Sequence, residues 1–255
     1  MEIPHTMTRE AEYRHDYFLT AGESNAEGQL PLSLLAERVI EASTEHANAL
    51  GIGYDALIRE GMGWVLSRMS IEISRYPKIN EHYSLVTWIE SYNRRFSERN
   101  CMITGDNGEV LGYVRTIWSA MSFKTRTFAD LTDFEREAFP IGTRECPISK
   151  IPRIAPITDV YSERSYTFKY CDLDFNRHVN TVRYIQLLLN SWPQKHFDKY
   201  IAGRFDLLFH SECHYDETVA VRLSHRDDSG RQYCEIIGAD NTRAISAGFT
   251  WTEIN

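Results

Sequence analysis

Hydrophobic positions along the chain follow strand-like spacing in some stretches and helix-like spacing in others. Residues 1–139 contain the first series of such stretches. An alternating run over residues 13–20 precedes a stretch that begins near Pro31, ends at Gly51 and has its apolar residues on one helical face. Four alternating runs follow, over residues 64–75, 83–92, 95–104 and 110–123. The pattern therefore predicts one strand, one long helix and four further strands.

The same order of spacings occurs again in the second half. A strand-like run over residues 164–170 leads to apolar residues at helical spacing, and Pro193 ends that pattern. Four alternating runs follow, over residues 205–215, 218–224, 232–238 and 242–252. Each half thus predicts an α+β unit in which an antiparallel sheet wraps around one helix.

The two halves can be superposed as an internal repeat. Placing Arg68 on Arg204 gives an offset of 204 − 68 = 136 for the strands, and placing Ser43 on Ser191 gives 191 − 43 = 148 for the helices. The difference predicts a 12-residue insertion in the first half, near residues 51–62. We interpret the chain as α+β, a tandem (double) hotdog.

The boundary between the units is indicated by proline. Half of the eight prolines lie in one short segment with little periodicity, at positions 140, 147, 152 and 156. We predict an N-terminal hotdog unit over residues 1–139, a linker over 140–158 and a C-terminal hotdog unit over 159–255.

Composition narrows the classes of function. The chain has 255 residues and a formal net charge of −8, which argues against a general nucleic-acid-binding surface. No apolar run approaches the roughly 18 residues of a membrane span. Five widely spaced cysteines without a C-x-x-C pair predict neither a disulfide framework nor a zinc knuckle, and they favour a reducing cytoplasm. The chain start lacks the features of a signal or import sequence.

Polar residues concentrate between the second opening strand and the second helix. Asp174, Asn176 and His178 alternate there, so an extended segment would place them on one side. A helix N-terminus offers unpaired N–H groups and a positive dipole end to developing negative charge. A helix-capping loop is the alternative interpretation, since Asp and Asn are preferred caps.

A second cluster lies at the end of the predicted strand 205–215. His210, Glu212 and His214 share one strand face, which allows a metal site as an alternative, although strand neighbours fan apart rather than converge. We expect Glu212 to lie at a wet edge or to reach the Asp/Asn/His loop. Cys213 points to the opposite face and is interpreted as a buried structural thiol, with a thiol nucleophile as the alternative.

The sequence DLDFNRHVNTVRYI, from Asp172, closely resembles the D-L-D-x-N-x-H-V-N-N-x-x-Y-I signature of the acyl-ACP thioesterases of plant plastids and bacteria (ACP, acyl carrier protein). The resemblance extends to WVLSRM from Trp64, to RYP from Arg75 and to Glu212-Cys213. It implies a tandem hotdog and a catalytic set of Asp174, Asn176, His178 and Glu212. Thr181 and Asn190 depart from the family pattern, away from those four residues.

The resemblance further implies a hydrolase that releases free fatty acid and holo-ACP from fatty acyl-ACP, with no cofactor and no metal. Its N-terminal hotdog would hold the acyl chain, and we expect Met62, Trp64 and Met69 to determine the accepted length. The family cysteine once proposed as nucleophile falls on Cys213. Without an import leader, a bacterial, cytoplasmic member is expected.

Hydrolysis of a thioester needs a water, a base and donors for the oxyanion. His178 or Glu212 can be the base, Asn176 can hold the water or the carbonyl, and the N–H groups near Val179 and Asn180 can receive the oxyanion.

The expected partner is an acyl carrier protein, which is acidic, so basic residues must offset the net negative charge at the entrance. We expect this role for Arg94 and Arg95, in a cluster with Arg99, and for Arg177. Coenzyme A as the carrier and a non-catalytic acyl-binding protein are the alternatives, and a homodimer is an allowed assembly.

Overall fold

The structure is a computed structural model that describes residues 10–131 and 139–254. Within these ranges the chain forms ten strands and four helices. The first half contains β1 (Glu12–Phe18), α1 (Leu32–Ala49), α2 (Tyr54–Arg59), β2 (Met62–Ile73), β3 (His82–Tyr92), β4 (Ser97–Gly105) and β5 (Val110–Ser122). The second half contains β6 (Val160–Thr167), α3 (Thr181–Leu189), α4 (Gln194–Phe197), β7 (Tyr200–Phe209), β8 (Thr218–Ser224), β9 (Gln232–Gly238) and β10 (Arg243–Glu253). The predicted α+β repeat is confirmed.

All ten strands form one antiparallel sheet in the order β1-β3-β4-β5-β2-β7-β10-β9-β8-β6. Each half has the same strand order from its outer edge inward, and the halves meet where β2 pairs with β7. Ser70 lies opposite Asp206 in that pairing. In a two-fold arrangement of antiparallel strands, residues on the axis face their own counterparts, so this register reproduces the strand offset of 136.

The helices α1 and α3 pack against each other and share one hydrophobic core with the sheet. Helix α1 begins after Pro31, whose extended backbone conformation suits a helix start, and ends before Gly51, which has a φ of +77°. Helix α3 ends at Leu189, earlier than the predicted end at Pro193. Pro193 instead occupies the N-cap of the short α4.

The helix offset of 148 is wrong by one residue. In the first half, Leu30 donates its N–H to the carbonyl of Pro77 (2.8 Å), and in the second half Val179 donates to Cys213 (2.9 Å). The two acceptors, Pro77 and Cys213, differ by the strand offset of 136, whereas the two donors, Leu30 and Val179, give 179 − 30 = 149. The insertion is therefore 13 residues long, and its α2 helix was not predicted.

The segment over residues 139–159 has no helix or strand, and its residues 146–149 lie along the sheet face opposite the helices. Arg115 of β5 donates to the carbonyls of Cys146 (2.7 Å) and Ile148 (2.9 Å). Farther along, Ser149 accepts from Arg204 of β7. The linker is thus bound to strands of both halves. Among the described residues, no helix has the length and apolarity needed to cross a membrane.

Candidate functional site

The loop between β6 and α3 is held in one conformation by its own polar groups. Asp174 accepts through Oδ1 from the N–H groups of Asn176 (2.8 Å) and His178 (3.1 Å). Arg177 takes a φ of +65° within this turn. Asn180 then caps α3 by accepting from the N–H of Val182 (2.8 Å). The helix-capping interpretation therefore applies to Asp174 and Asn180, which shape the loop and the helix start. The catalytic interpretation stays open for Asn176 and His178, which lie beside the cavity described below.

A second loop brings Glu212 to this one. Strand β7 ends at Phe209, so the prediction that His210, Glu212 and His214 share a strand face is wrong. The loop that follows is joined to the first one by the bond from the N–H of Val179 to the carbonyl of Cys213 (2.9 Å). This contact places Oε1 of Glu212 3.3 Å from Nδ1 of His178.

The second carboxylate oxygen of Glu212 binds a residue that sequence reasoning missed. Arg126 lies in the turn after β5, with a φ of +57°, and its guanidinium forms an ion pair with Oε2 of Glu212. The side chains of Arg126 and Glu212 are 54% and 31% exposed. The Glu212 carboxylate therefore lies between an imidazole of its own half and a guanidinium of the other half. No local sequence signal marks Arg126, because the contact depends on the pairing of β2 with β7.

Cys213 lies beside the site but is buried. Its relative exposure is 1%, and burial raises the pKa of its thiol to about 11. Its backbone N–H donates to the hydroxyl of Tyr184 (2.9 Å). A thiol that stays protonated at neutral pH is a poor nucleophile, so the geometry favours the structural interpretation of this cysteine.

The two histidines of the metal alternative have separate environments. His210 contacts the hydroxyl of Ser246 through Nε2 (2.9 Å), whereas the ring of His214 lies edge-on to that of His178, 5.1 Å between centroids. Within the described parts of the chain, no three His, Cys, Asp or Glu side chains are grouped so that they could hold a metal ion.

A cavity of about 830 Å³ connects the polar site to the first half. Its wall includes the polar residues of both loops and apolar residues of α1, α2, β2 and β5. Trp64 lines it and donates its indole N–H to the carbonyl of Ile52 (2.8 Å), which ties β2 to the insertion. Met62 and Trp64 both pack against a cluster of Leu57, Ala120 and Leu131, but Met62 does not line the cavity, and Met69 is fully buried in the main core.

The predicted arginine cluster divides between surface and interior. Arg94 and Arg95 are exposed near the turn between β3 and β4, and Nε of Arg94 lies 2.7 Å from Oδ2 of Asp130. Arg99 is only 6% exposed and lines the cavity. Arg177 is exposed on the loop that carries His178. The three arginines predicted as one cluster therefore do not form one surface.

The first half contains an altered copy of the catalytic loop. With the corrected offset, Asn25, Glu27, Gln29 and Tyr76 stand where Asp174, Asn176, His178 and Glu212 stand. Asn25 makes the same turn, accepting from the N–H of Gln29 (2.8 Å), as Asp174 does from His178. The turn is thus common to both halves, whereas at the equivalent positions the first half has Gln29 and Tyr76 in place of the imidazole and the carboxylate.

Comparison with known protein families identifies both halves. Residues 10–138 match the model of the acyl-ACP thioesterase N-terminal domain, and residues 156–253 match the model of the C-terminal domain. An acyl-[acyl-carrier-protein] hydrolase of Cuphea viscosissima, described as chloroplastic, is 25% identical over 253 residues, which cover 93% of this chain. The chain spans about 61% of the length of that relative. An oleoyl-acyl carrier protein thioesterase of Coriandrum sativum is 25% identical over 92% of this chain and 68% of its own length.

Solved structures show the same architecture. An acyl-ACP thioesterase from Bacteroides thetaiotaomicron superposes with a TM-score of 0.85 at 23% identity, covering 95% of this chain and 98% of the other. A 12:0-ACP thioesterase from Umbellularia californica gives a TM-score of 0.85 at 19% identity, with 96% and 98% covered. The tandem hotdog prediction is thereby confirmed.

Proposed function

Because the chain belongs to the acyl-ACP thioesterase family, we propose that it hydrolyses the thioester of a fatty acyl-ACP to free fatty acid and holo-ACP. The observation that carries the proposal is the contact between His178 and Glu212 at a cavity with a largely apolar inner wall. Such a cavity suits an acyl chain, and an imidazole–carboxylate pair suits the activation of water.

The base in this proposal is His178. Both oxygens of Glu212 already face partners, Arg126 on Oε2 and Nδ1 of His178 on Oε1. Glu212 therefore orients the imidazole and stabilises its protonated form, and Nε2 of His178 accepts a proton from the attacking water. As the tetrahedral intermediate collapses, the C–S bond breaks and the imidazolium returns this proton to the departing thiolate.

The expected oxyanion donors need revision. The N–H of Val179 already donates to Cys213, and that of Asn180 donates to the carbonyl of Asp172 (2.8 Å), so the proposal assigns the oxyanion to other donors. Asn176 and Thr181 also line the cavity. We assign the oxyanion to the side-chain amide of Asn176 and the backbone N–H of Thr181 at the start of α3.

The test measures thiol release from acyl-ACP by His178→Ala, Asn176→Ala and Glu212→Ala. Each should lose about 10²- to 10⁴-fold in kcat, as for loss of a base or an oxyanion donor. Gln29→Ala is the matched control, because Gln29 occupies the position of His178 in the first-half loop and should leave activity unchanged. Full activity in all three second-half variants would end the proposal.

Arg126 acts in this scheme as a positioning residue for Glu212. Arg126→Gln should lower kcat by about 10- to 100-fold with little change in KM, because a small misplacement of the base unit is costly. Arg126→Lys should recover part of the loss. If kcat for Arg126→Gln equals that of wild type, Glu212 needs no partner from the first half.

The acyl chain is proposed to enter the first half past Trp64. Trp64→Phe or Trp64→Ala should shift the preferred acyl length in a rate profile over saturated acyl-ACPs. Met69→Leu should mainly change stability, since Met69 lies in the main core. An unchanged profile in the Trp64 variants would place the chain elsewhere.

Docking of the carrier is proposed at the exposed arginines Arg94, Arg95 and Arg177. Arg177→Glu and Arg95→Glu should raise KM for acyl-ACP more than for a small acyl thioester, with a strong dependence on salt. Equal effects on both substrates would show that these residues do not take part in docking of the carrier. Rates on the same acyl group carried by ACP and by coenzyme A decide the carrier. A bacterial cytoplasmic location and a homodimer stay predictions.

A further inference from the structure

The cavity wall contains a cation at the end away from the reacting groups. Arg99 of β4 lines the cavity and is 6% exposed. It lies in a row of paired residues across the sheet, through Thr116 and Met69 to Leu207 of β7. Three strand spacings amount to about 14 Å, so Arg99 is distant from the loop that follows β7 and carries Glu212. A group bound by Arg99 therefore belongs to the distal part of an acyl chain.

Within residues 10–131 and 139–254, the neighbours of Arg99 supply no counter-ion for its charge. Its Nη1 donates to Nδ1 of His46 (2.7 Å) and, at longer range, to the hydroxyl of Thr87 (3.4 Å). Nε2 of His46 lies 3.0 Å from the carbonyl of Glu10 and must donate to it, which makes Nδ1 the acceptor and the imidazole neutral. Across the described residues, no carboxylate lies within 4.0 Å of the Arg99 guanidinium.

A buried cation without an anion is unfavourable. Burial lowers the pKa of Arg99 to about 10, which still leaves it charged at neutral pH. Purely structural buried arginines are generally matched by carboxylates, as Arg115 is by Glu90 on the opposite face of the same sheet. The missing charge is therefore expected from a bound molecule.

Apart from Ser97, the other polar side chains in this part of the cavity already have hydrogen-bond partners. Their hydroxyl and indole groups donate to backbone carbonyls or to a neighbouring threonine, and they are Ser43 (to Val39), Thr44 (to Ile40), Ser67 (to Ile117) and Trp118 (to Thr116). Ser97, two residues before Arg99 on the same strand face, also lines the cavity. The unused N–H groups of Arg99 are thus the main polar feature offered to a ligand.

We infer that this site takes an acyl chain that carries a hydrogen-bond-accepting oxygen in its distal part, held by the guanidinium of Arg99. This inference rests on the proposed function for the identity of the ligand as an acyl thioester. A terminal carboxylate supplies the missing anion and matches the planar donors of Arg, and a terminal hydroxyl supplies the acceptor alone.

The experiment compares three acyl-ACPs of equal chain length that end in a methyl, a hydroxyl or a carboxylate. Wild type should hydrolyse the oxygenated chains with a kcat/KM about 10- to 100-fold above that of the methyl chain, the range expected for a hydrogen bond to a charged group. Arg99→Met should reverse this preference, whereas Arg222→Met, at an arginine of β8 that pairs with Glu163 and does not line the cavity, should keep it. Preference of wild type for the methyl-ended chain would overturn the inference and leave the thioesterase assignment standing.

A binding measurement on wild type tests the inference as well. It requires neither turnover nor a variant that folds. The free dicarboxylic acid and the monocarboxylic acid of equal length are compared as thermal stabilisers of wild type. The dicarboxylic acid should raise Tm more, and equal shifts would also overturn the inference. Inactivity on all three acyl-ACPs would instead refute the proposed function. The thermal comparison tests the role of Arg99 separately, because it does not depend on turnover.

Discussion

Acidification is expected to destabilise the protein through His46, the histidine that contacts Arg99. His46 is 1% exposed, and its two ring nitrogens are used by Arg99 and by the carbonyl of Glu10. A proton on Nδ1 would remove the acceptor and place a second positive charge beside the guanidinium. Burial, followed by the charge of Arg99, therefore lowers the pKa of His46 to about 4.

The size of the effect follows from proton linkage. In the unfolded chain an imidazole titrates near pH 6.5, so between about pH 6.5 and 4 the unfolded state binds a proton that the folded state does not. Stability from His46 is present above this window and falls as the pH falls through it. The loss is about 2 kcal/mol at about pH 5 and about 3 kcal/mol at about pH 4.

Urea unfolding of wild type and His46→Gln at several values between about pH 7.5 and 5 measures this loss. Gln can accept from Arg99 and donate to Glu10 without titrating, so the stability of the variant relative to wild type should improve by about 2 kcal/mol over that range. The comparison cancels groups common to both proteins, including His196, whose pKa burial also lowers to about 4. His225→Gln, at an exposed histidine, is the control for the replacement of a histidine as such. Parallel curves for wild type and His46→Gln would refute the reasoning.

Three further outcomes are expected. Cys213→Ser should keep most of the thioesterase activity, and iodoacetamide should modify Cys213 slowly at about pH 8, since burial raises the pKa of the thiol; an inactive but folded variant would restore the thiol-nucleophile mechanism. Asp206→Asn should cost about 3–5 kcal/mol in urea unfolding, because this buried carboxylate pairs with Arg204 and Arg231 where the halves join; a cost below about 1 kcal/mol would contradict the pairing. Asn180→Ala should cost about 1 kcal/mol through loss of the α3 cap, whereas an unchanged midpoint would show that the cap is dispensable.

Much of the fold was determined by local sequence patterns. Side-chain alternation, helical spacing and terminating residues act over a few positions, so the ten strands and the helix α1 were predicted in the observed order, although β6 and β7 begin at Val160 and Tyr200 rather than at the predicted residues 164 and 205. The polar loop was predicted for the same reason, since Asp174 and Asn180 bond to backbone groups within four residues. Errors arose where neighbouring elements set the limits, as at the end of β7 and the end of α3.

The candidate site was determined only in part by the sequence. Resemblance to a family predicted Glu212 beside the loop, but no sequence pattern places Arg126 on its second oxygen or Arg99 in the cavity wall. Both placements depend on pairings between residues far apart in the chain, the β2–β7 junction for Arg126 and the packing of β4 on α1 for Arg99. Such contacts have no local sequence signature, because each partner lies in an ordinary strand or turn. The two partners come together only when the sheet closes around the helices. The sequence by itself therefore determined the repeat and its reactive loop, whereas the tertiary structure decided which charges face the cavity and which group orients the base.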